Sequence, residues 1–136
     1  MSGERIWCGV LLIAAAVLAP SAGHAEDART AYWLHCAGCH LLDGTSAPPE
    51  VPTLIDEPGR IVGLPGGREY LVRIPGVAQA GLGDEKLAEV LNFILEEFSP
   101  ETTPVDFEPF NSEEVGRVRD RVLIDPLRRR AEIVGD

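Results

Sequence analysis

The sequence is short of basic residues and of cysteines and has no long apolar run, and each shortage narrows the range of functions. Its 136 residues include 12 Lys and Arg against 22 Asp and Glu, which gives a net charge of −10. Such a chain is a poor match for nucleic acid or an anionic membrane surface and favours partners with a basic patch. The longest apolar run covers residues 6–19, fewer than the roughly 20 residues that span a bilayer. Three cysteines are present, and the only methionine is Met1.

The apolar run belongs to a segment that resembles an export signal. Arg5 lies in a short charged start, and the small residues Gly23 and Ala25 follow the run in "PSAGHA", as at a cleavage site for a signal peptide. We expect residues 1–25 to be removed near Ala25, leaving a mature chain in the periplasm without a stable membrane anchor. Cys8 would leave with this segment, so the mature chain would keep two cysteines.

The two remaining cysteines lie in the stretch "YWLHCAGCHLLDG", residues 32–44. Cys36, Cys39 and His40 have the spacing C-x-x-C-H, which is typical of covalent haem attachment. The residues from Asp27 onward are compatible with a helix, and at helical spacing both thiols and the imidazole can point to one side. Two thioether bonds and one iron ligand on the same macrocycle require this arrangement. We therefore predict one haem c, attached through Cys36 and Cys39, with His40 as an iron ligand.

Three other roles for the cysteine pair compete with haem attachment. A disulfide between Cys36 and Cys39 would close a very small loop and restrain little of the unfolded chain. A redox-active C-x-x-C motif is expected after a strand, and nothing strand-like precedes Tyr32. A zinc site is the third alternative. The histidine directly after the second cysteine favours haem.

With this motif the chain resembles the small exported cytochromes c, a class I-like family with one haem. The resemblance covers about residues 27–98 and implies a mainly α, cytochrome c-like helical domain wrapped around the haem. Tyr32 matches the family's aromatic residue on the first helix, which faces the last helix. Pro52 in "VPTL" matches the proline whose carbonyl accepts the other ring N–H of the iron-bound histidine. Leu54 matches an apolar haem contact.

The closing helix of the domain is predicted by its own pattern of apolar residues. In "LGDEKLAEVLNFILEEF" these residues recur at intervals of three and four, and Gly83 or Asp84 is the expected cap. The resulting stripe consists of Leu87, Val90, Leu91, Ile94, Leu95 and Phe98. Residues 44–83 are rich in proline and glycine and are expected to be mostly loop, with a short helix or extended arm in "GGREYLVRIPG".

The residues after the closing helix are expected to form an extension. It should begin as an extended wrap anchored by Phe107 and Phe110, continue as a helix from Asn111 or Ser112, and break at Pro126. We therefore divide the chain into a signal peptide at 1–25, a cytochrome c-like haem domain at 26–99 and a C-terminal extension at 100–136.

The chain lacks the second iron ligand that is usual in the family. The resemblance places the distal methionine at Gly76 or Val77, and neither side chain can bind iron. His35 is expected at the surface because it lies on the helix that carries the cysteines, and Lys86 is expected to pair with a carboxylate. Tyr70, in "REYL", is either a core tyrosine or a hydroxyl group close to the open face of the iron.

Two arginines lie in the region from which the family often binds the haem propionates. Arg60 and Arg68 are either propionate ligands or ordinary surface charges. The haem-binding residues expected from the sequence are thus Cys36, Cys39, His40, Pro52, Leu54, Arg60, Arg68 and Tyr70, with His40 on the iron.

Two functions of different classes fit these features. An electron carrier would pass single electrons between an exported dehydrogenase and an acceptor, docking on a basic patch of its redox partner. A five-coordinate haem protein would bind nitric oxide, carbon monoxide, oxygen or peroxide at the open distal face. The small one-haem scaffold and the lack of a clear acid–base pair favour the carrier, so we predict no catalytic residue. A partner subunit could also supply the missing ligand.

Overall fold

The structure, a computed structural model, describes residues 27–48 and 50–135, and the predicted signal peptide lies outside the described residues. Secondary structure in this part of the chain is helical, with no β-strand, which confirms the mainly α fold. The described helices are α1 (Ala28–His35), α2 (Ala37–His40), α3 (Glu57–Val62), α4 (Gly67–Arg73), α5 (Pro75–Ala78), α6 (Asp84–Phe98), α7 (Ser112–Val118) and α8 (Pro126–Val134). None of these described helices is long and apolar enough to cross a membrane.

Helix α1 is joined to α6 by one fully buried tyrosine. The Asp27 side chain starts α1 by accepting a hydrogen bond from the Thr30 N–H at 2.7 Å. Further along the helix the Tyr32 ring packs against Phe93 and Phe98, with ring centroids 5.6 and 5.2 Å away. The aromatic residue on the first helix therefore faces the closing helix, as predicted.

The apolar stripe of α6 separates two clusters of the core. All six residues predicted for this stripe are buried, and each buried side chain of this size contributes about 1.5–3 kcal/mol. One side of the stripe packs against α3, α4 and α7, and the other side packs against α1. The first side comprises Leu87, Leu91 and Leu95, and the second comprises Val90, Ile94 and Phe98. Helix α6 is thus the element that both clusters share.

The middle of the chain is more helical than expected. Helix α4 is the short helix, rather than the extended arm, expected in "GGREYLVRIPG", whereas α3 and α5 occupy residues predicted as loop. These two helices have six and four residues, too few to produce a periodic apolar pattern. The turn before α4 requires both of its glycines. Gly66 has φ +81°, and a Cβ at Gly67 would lie 1.7 Å from the carbonyl oxygen of Ile61. The close packing of α3 and α4 therefore depends on the absence of side chains at this turn.

The C-terminal extension is built into the core. Phe110 and Val115 are buried in the larger of the two clusters. The Asn92 side chain on α6 accepts a hydrogen bond from the Phe110 N–H at 2.8 Å and donates one to the Phe110 carbonyl at 3.0 Å. Asn111 caps α7, as predicted, by accepting a hydrogen bond from the Glu114 N–H at 3.0 Å.

The helix expected from Asn111 or Ser112 ends well before Pro126, at Val118, and a second helix, α8, begins at this proline. The Asp125 side chain caps the new helix by accepting a hydrogen bond from the Arg128 N–H at 2.9 Å. Proline suits the first turn of a helix because its missing N–H needs no partner there. The partly buried side chains of Ile133 and Val134 then pack α8 against the larger cluster.

Replacing Phe110 with alanine should lower the free energy of unfolding by about 3–5 kcal/mol, because a buried aromatic side chain is lost and a cavity remains. Val105, a fully exposed residue of the same extension, provides the control. The change Val105→Ala should alter the free energy of unfolding by less than about 0.5 kcal/mol. Denaturant unfolding of the full chain measures both values, and equally small effects would show that the extension does not stabilise the domain.

Candidate haem-binding site

The three residues of the C-x-x-C-H motif lie at the junction of α1 and α2. Cys36 joins the two helices, and its carbonyl accepts hydrogen bonds from the N–H groups of Cys39 and His40 at 3.1 and 3.0 Å. This tight turn places both cysteines and the histidine on the wall of one cavity.

The cavity has a volume of about 460 Å³ and mostly apolar walls, which is in the size range of cofactor and small-molecule sites. The walls come from residues 50–54, from α3 to α6, from Phe110 and from the segment 124–130. Leu54, the apolar haem contact expected from the resemblance, lies on this wall. Both the predicted haem domain and the predicted extension therefore contribute to the cavity.

His40 lies on the wall of the cavity. Its Nδ1 atom is fully buried and has no hydrogen-bond partner, whereas a metal-binding imidazole usually donates its second ring nitrogen to an acceptor in the protein. Burial lowers the pKa of His40, and the carbonyl of Pro52 is close enough to oppose this shift. The geometry of the Pro52 carbonyl falls short of a regular hydrogen bond to Nδ1. The role of Pro52 as the partner of that nitrogen stays a prediction.

The surroundings of Cys36 and Cys39 disfavour a redox-active role for the pair. Both residues are free thiols, and burial, together with the neighbouring Cys39, raises the pKa of the Cys36 thiol to about 11. A redox-active C-x-x-C motif needs a lowered thiol pKa, so this environment counts against that alternative. In the described part of the chain, no group of three or more His, Cys, Asp or Glu residues is placed to hold a metal ion.

A second wall of the cavity is formed by α4 and α5, neither of which contains methionine, histidine or cysteine. Tyr70 is 4% exposed, and burial raises its pKa. No hydrogen bond joins its hydroxyl group to another described residue. Gly76 and Val77, where the resemblance places the usual ligand, also line the cavity. A Cβ at Gly76 would meet no atom within 4 Å.

The other two candidate iron ligands lie away from this second wall. His35 is exposed at the rim of the cavity, on the helix that leads into the motif. Lys86, in the first turn of α6, pairs with Glu89 and does not line the cavity. Both placements agree with the surface roles expected from the sequence.

Arg60 and Arg68, the two arginines expected to reach the propionates, do not line the cavity. Arg60 is exposed and pairs with Glu57 at 3.3 Å. Arg68 donates two hydrogen bonds of 2.7 Å to Glu114, and its guanidinium lies 4.4 Å from the centroid of the Phe110 ring. Arg68 therefore fastens α4 to the extension.

Two arginines of the extension take part in the site, although no sequence pattern marks them. Arg130, one of three consecutive arginines, lines the cavity. Arg119 donates hydrogen bonds to the carbonyls of Ala78 and Leu82 at 2.9 and 2.8 Å and to the Asp84 carboxylate at 2.7 Å. It therefore clamps the segment between α5 and α6 to the end of α7. Only the tertiary contacts of the extension distinguish these two arginines from their neighbours.

The residues of this cavity fit a covalently attached haem. The motif supplies one imidazole nitrogen and two thiols in a fixed turn, and the walls supply an apolar environment. The buried Nε of Arg130 has no hydrogen-bond partner within the protein, as expected if this donor binds an acidic group of the cofactor. A helical fold with this motif on the wall of an apolar cavity defines a c-type cytochrome.

Comparisons with known proteins identify the family. No family model matches the chain. The chain is 31% identical over 109 residues to cytochrome c-552 of Thermus thermophilus, covering 67% of this chain and 83% of that relative. A second cytochrome c-552 of Thermus thermophilus is also 31% identical over 109 residues, covering 67% of this chain and 74% of that relative. The chain therefore belongs to the cytochrome c family, and this membership implies covalently bound haem c.

Replacing both Cys36 and Cys39 with serine should abolish covalent haem, because no sulfur remains to form a thioether bond. The change His40→Ala should prevent stable haem incorporation, because the iron loses its protein ligand. Acid–acetone extraction followed by a pyridine haemochrome spectrum measures the covalent haem. His35→Ala, at the rim of the same cavity, is the control and should retain it. Full covalent haem in the double-serine or His40 variant would remove the basis of this site.

Proposed function

We propose that this chain is an exported monohaem cytochrome c of the periplasm that passes single electrons between an exported dehydrogenase and an acceptor protein. The observation that carries this proposal is the placement of C-x-x-C-H on the wall of an apolar cavity in a cytochrome c-like fold. A haem bound there supplies a one-electron redox couple. Around it, the chain contributes the imidazole ligand, the two attachment points and walls that exclude water.

The outer side of the motif is suited to contact with a redox partner. Cys39 is exposed, and three leucines next to the motif in sequence, Leu34, Leu41 and Leu42, are each more than half exposed. Exposed apolar side chains grouped in this way are typical of an interaction surface. The net charge of −10 adds long-range attraction toward a basic patch on the partner.

Electron self-exchange between two copies of the protein tests this function before a partner is known. Its rate is measured by NMR line broadening in a mixture of the ferric and ferrous forms. The rate should rise with ionic strength, because salt screens the repulsion between two chains that each carry a charge of −10. The rate of electron transfer to a basic partner should instead fall with ionic strength, because salt screens the attraction between opposite charges.

A matched pair of variants locates the contact. Leu42→Glu should slow self-exchange several-fold, because it adds a like charge beside the motif. Val105→Glu adds the same charge to the exposed part of the extension and should have a smaller effect. Self-exchange too slow to detect would contradict the carrier function, and equal effects of the two variants would contradict this contact face.

A second function is favoured by the wall that α4 and α5 form. Because these helices contain no sulfur or imidazole, we propose that the isolated ferrous protein is five-coordinate or holds only a weak water or Tyr70 oxygen. Such a protein would bind a small molecule such as carbon monoxide or nitric oxide at the open position. Loss of the thioether ligand should also place the midpoint potential below that of methionine-ligated relatives with similar haem exposure. A partner subunit that supplied the ligand would close this position.

Carbon monoxide binding to the ferrous protein separates these two functions. Binding should be fast, because no strong internal ligand must first be displaced. Tyr70→Phe should shift the stretching frequency of bound carbon monoxide if the Tyr70 hydroxyl faces the iron. Thr103→Val is the control, since it removes a part-buried hydroxyl that donates to the Ser99 carbonyl at 2.8 Å and does not line the cavity. A low-spin ferrous spectrum that carbon monoxide does not change would exclude the open site and turn attention to Lys86.

A further inference from the structure

The C-terminal helix α8 lies against the cavity with one face. Just before the helix, the Leu123 N–H donates a hydrogen bond to the Arg73 carbonyl at the end of α4, at 3.0 Å. Leu127 and Arg130 line the cavity, and Ile133 packs against the larger core cluster. These three residues are spaced by three, so they lie on the same side of the helix. The core-facing side of α8 therefore carries one arginine.

The guanidinium of Arg130 has a partner at one terminal nitrogen but none at Nε. Its side chain is 27% exposed, and a terminal nitrogen pairs with the carboxylate of Glu57 on α3. Its Nε is buried and has no hydrogen-bond partner. A buried donor without an acceptor costs roughly 1–3 kcal/mol, and more when it is charged. An acceptor group inside the cavity would remove this cost.

A second donor without a partner lies on the same cavity wall. The hydroxyl group of Tyr70 makes no hydrogen bond to another described residue. Arg130 is close enough to lower the pKa of Tyr70, against the larger effect of burial, which raises it. Tyr70 and Arg130 line the same cavity, and a carboxylate, which accepts several hydrogen bonds, suits such a pair of donors.

Among the described residues that line the cavity, Arg130 is the one arginine or lysine, and the acids Glu50, Glu57 and Asp125 also lie on the wall. Glu57 contacts Arg60 through one carboxylate oxygen and Arg130 through the other. Arg60 is exposed and does not line the cavity, so the positive charge available to a group inside the cavity is that of Arg130. Haem c brings its own carboxylates into the cavity, and burying one of them requires a compensating cation.

We propose that α8 is part of the haem site and that Arg130 binds a carboxylate of the haem, while Glu57 holds the guanidinium in position. This inference rests on the proposed function only in requiring that the chain carries haem c. It assigns the extension a role in cofactor binding. Arg60 then acts on the cofactor only through Glu57.

The change Arg130→Gln tests this contact in the haem-loaded protein. Loss of the charge should raise the pH at which the haem carboxylate titrates by about one pH unit or more. It should also lower the midpoint potential, because a nearby cation stabilises the less positive ferrous form. The haem methyl proton shifts of the ferric protein, followed against pH, report the titration, and a redox titration of the same samples reports the potential.

The change Arg128→Gln is the matched control. It removes the same charge from the same helix, but the Arg128 side chain is 78% exposed and pairs with Glu132, and it does not line the cavity. The carboxylate titration should therefore stay where it is in the unmodified protein. Arg130→Lys keeps the charge but loses the Nε–H. The pH at which the haem carboxylate titrates should therefore stay close to its value in the unmodified protein. The resonance Raman bending mode of the haem carboxylate, which follows its hydrogen bonding, should still shift.

The change Glu57→Gln separates carboxylate binding from a purely structural ion pair. If Arg130 served only to pair with Glu57, Glu57→Gln and Arg130→Gln would destabilise the protein alike and neither would raise the pH of the titration. Under the proposal only Arg130→Gln raises the pH of the titration, because Glu57→Gln keeps the Arg130 charge and its amide oxygen can still accept a hydrogen bond from the guanidinium.

Two results would overturn the proposal. One is that the haem carboxylate titrates at the same pH in Arg130→Gln and in Arg128→Gln. The other is an unchanged Raman mode in Arg130→Lys, and this measurement decides the matter if Arg130→Gln does not fold. Absence of covalent haem from the unmodified protein would instead refute the proposed function itself.

Discussion

The haem site depends on the packing of one tyrosine between α1 and α6. Tyr32 is buried against Phe93 and Phe98, and its hydroxyl donates a hydrogen bond to the Leu41 carbonyl at 2.6 Å. Burial raises the pKa of this hydroxyl to about 12, so it remains a donor at neutral pH. Leu41 has φ +51°, a conformation that is unfavourable for a leucine and that the hydrogen bond helps to hold. One side chain thus joins the two helices and ends α2 directly after His40, which fixes the position of the imidazole.

The C-terminal extension contributes both to the core around α6 and to the walls of the cavity. A chain of this length has a modest core, and a cavity of about 460 Å³ reduces the contacts within it further. Phe110 and Val115 extend the core on the far side of α6, while Leu127 and Arg130 line the cavity. Because the same segment serves both purposes, folding of the extension and shaping of the cavity are coupled. A haem bound in the cavity would therefore stabilise the extension as well as the domain.

Sequence patterns predicted the elements whose signals are local. The start of α1 near Asp27, the stripe of α6 and the cap of α7 at Asn111 each follow from neighbouring residues, and the structure contains all three. Helices α3 and α5 are too short to show a period, and Pro126 at the first turn of α8 looks the same in sequence as a break. The difference between Arg130 and Arg60 could not be predicted at all, because it arises from packing between segments far apart in the chain.

The segment that carries Gly76 has space for a side chain and is restrained by hydrogen bonds. These two properties together connect the two proposed functions. A Cβ at Gly76 would meet no atom within 4 Å, so crowding does not explain the missing ligand. Arg119 holds the carbonyls of Ala78 and Leu82, which restrains any movement that would bring Lys86 to the cavity. A rigid wall serves an electron carrier, because little rearrangement should accompany the change of oxidation state. The same rigid wall would keep a coordination position accessible to a small molecule. The two functions therefore require the same fold and differ only in what occupies that position.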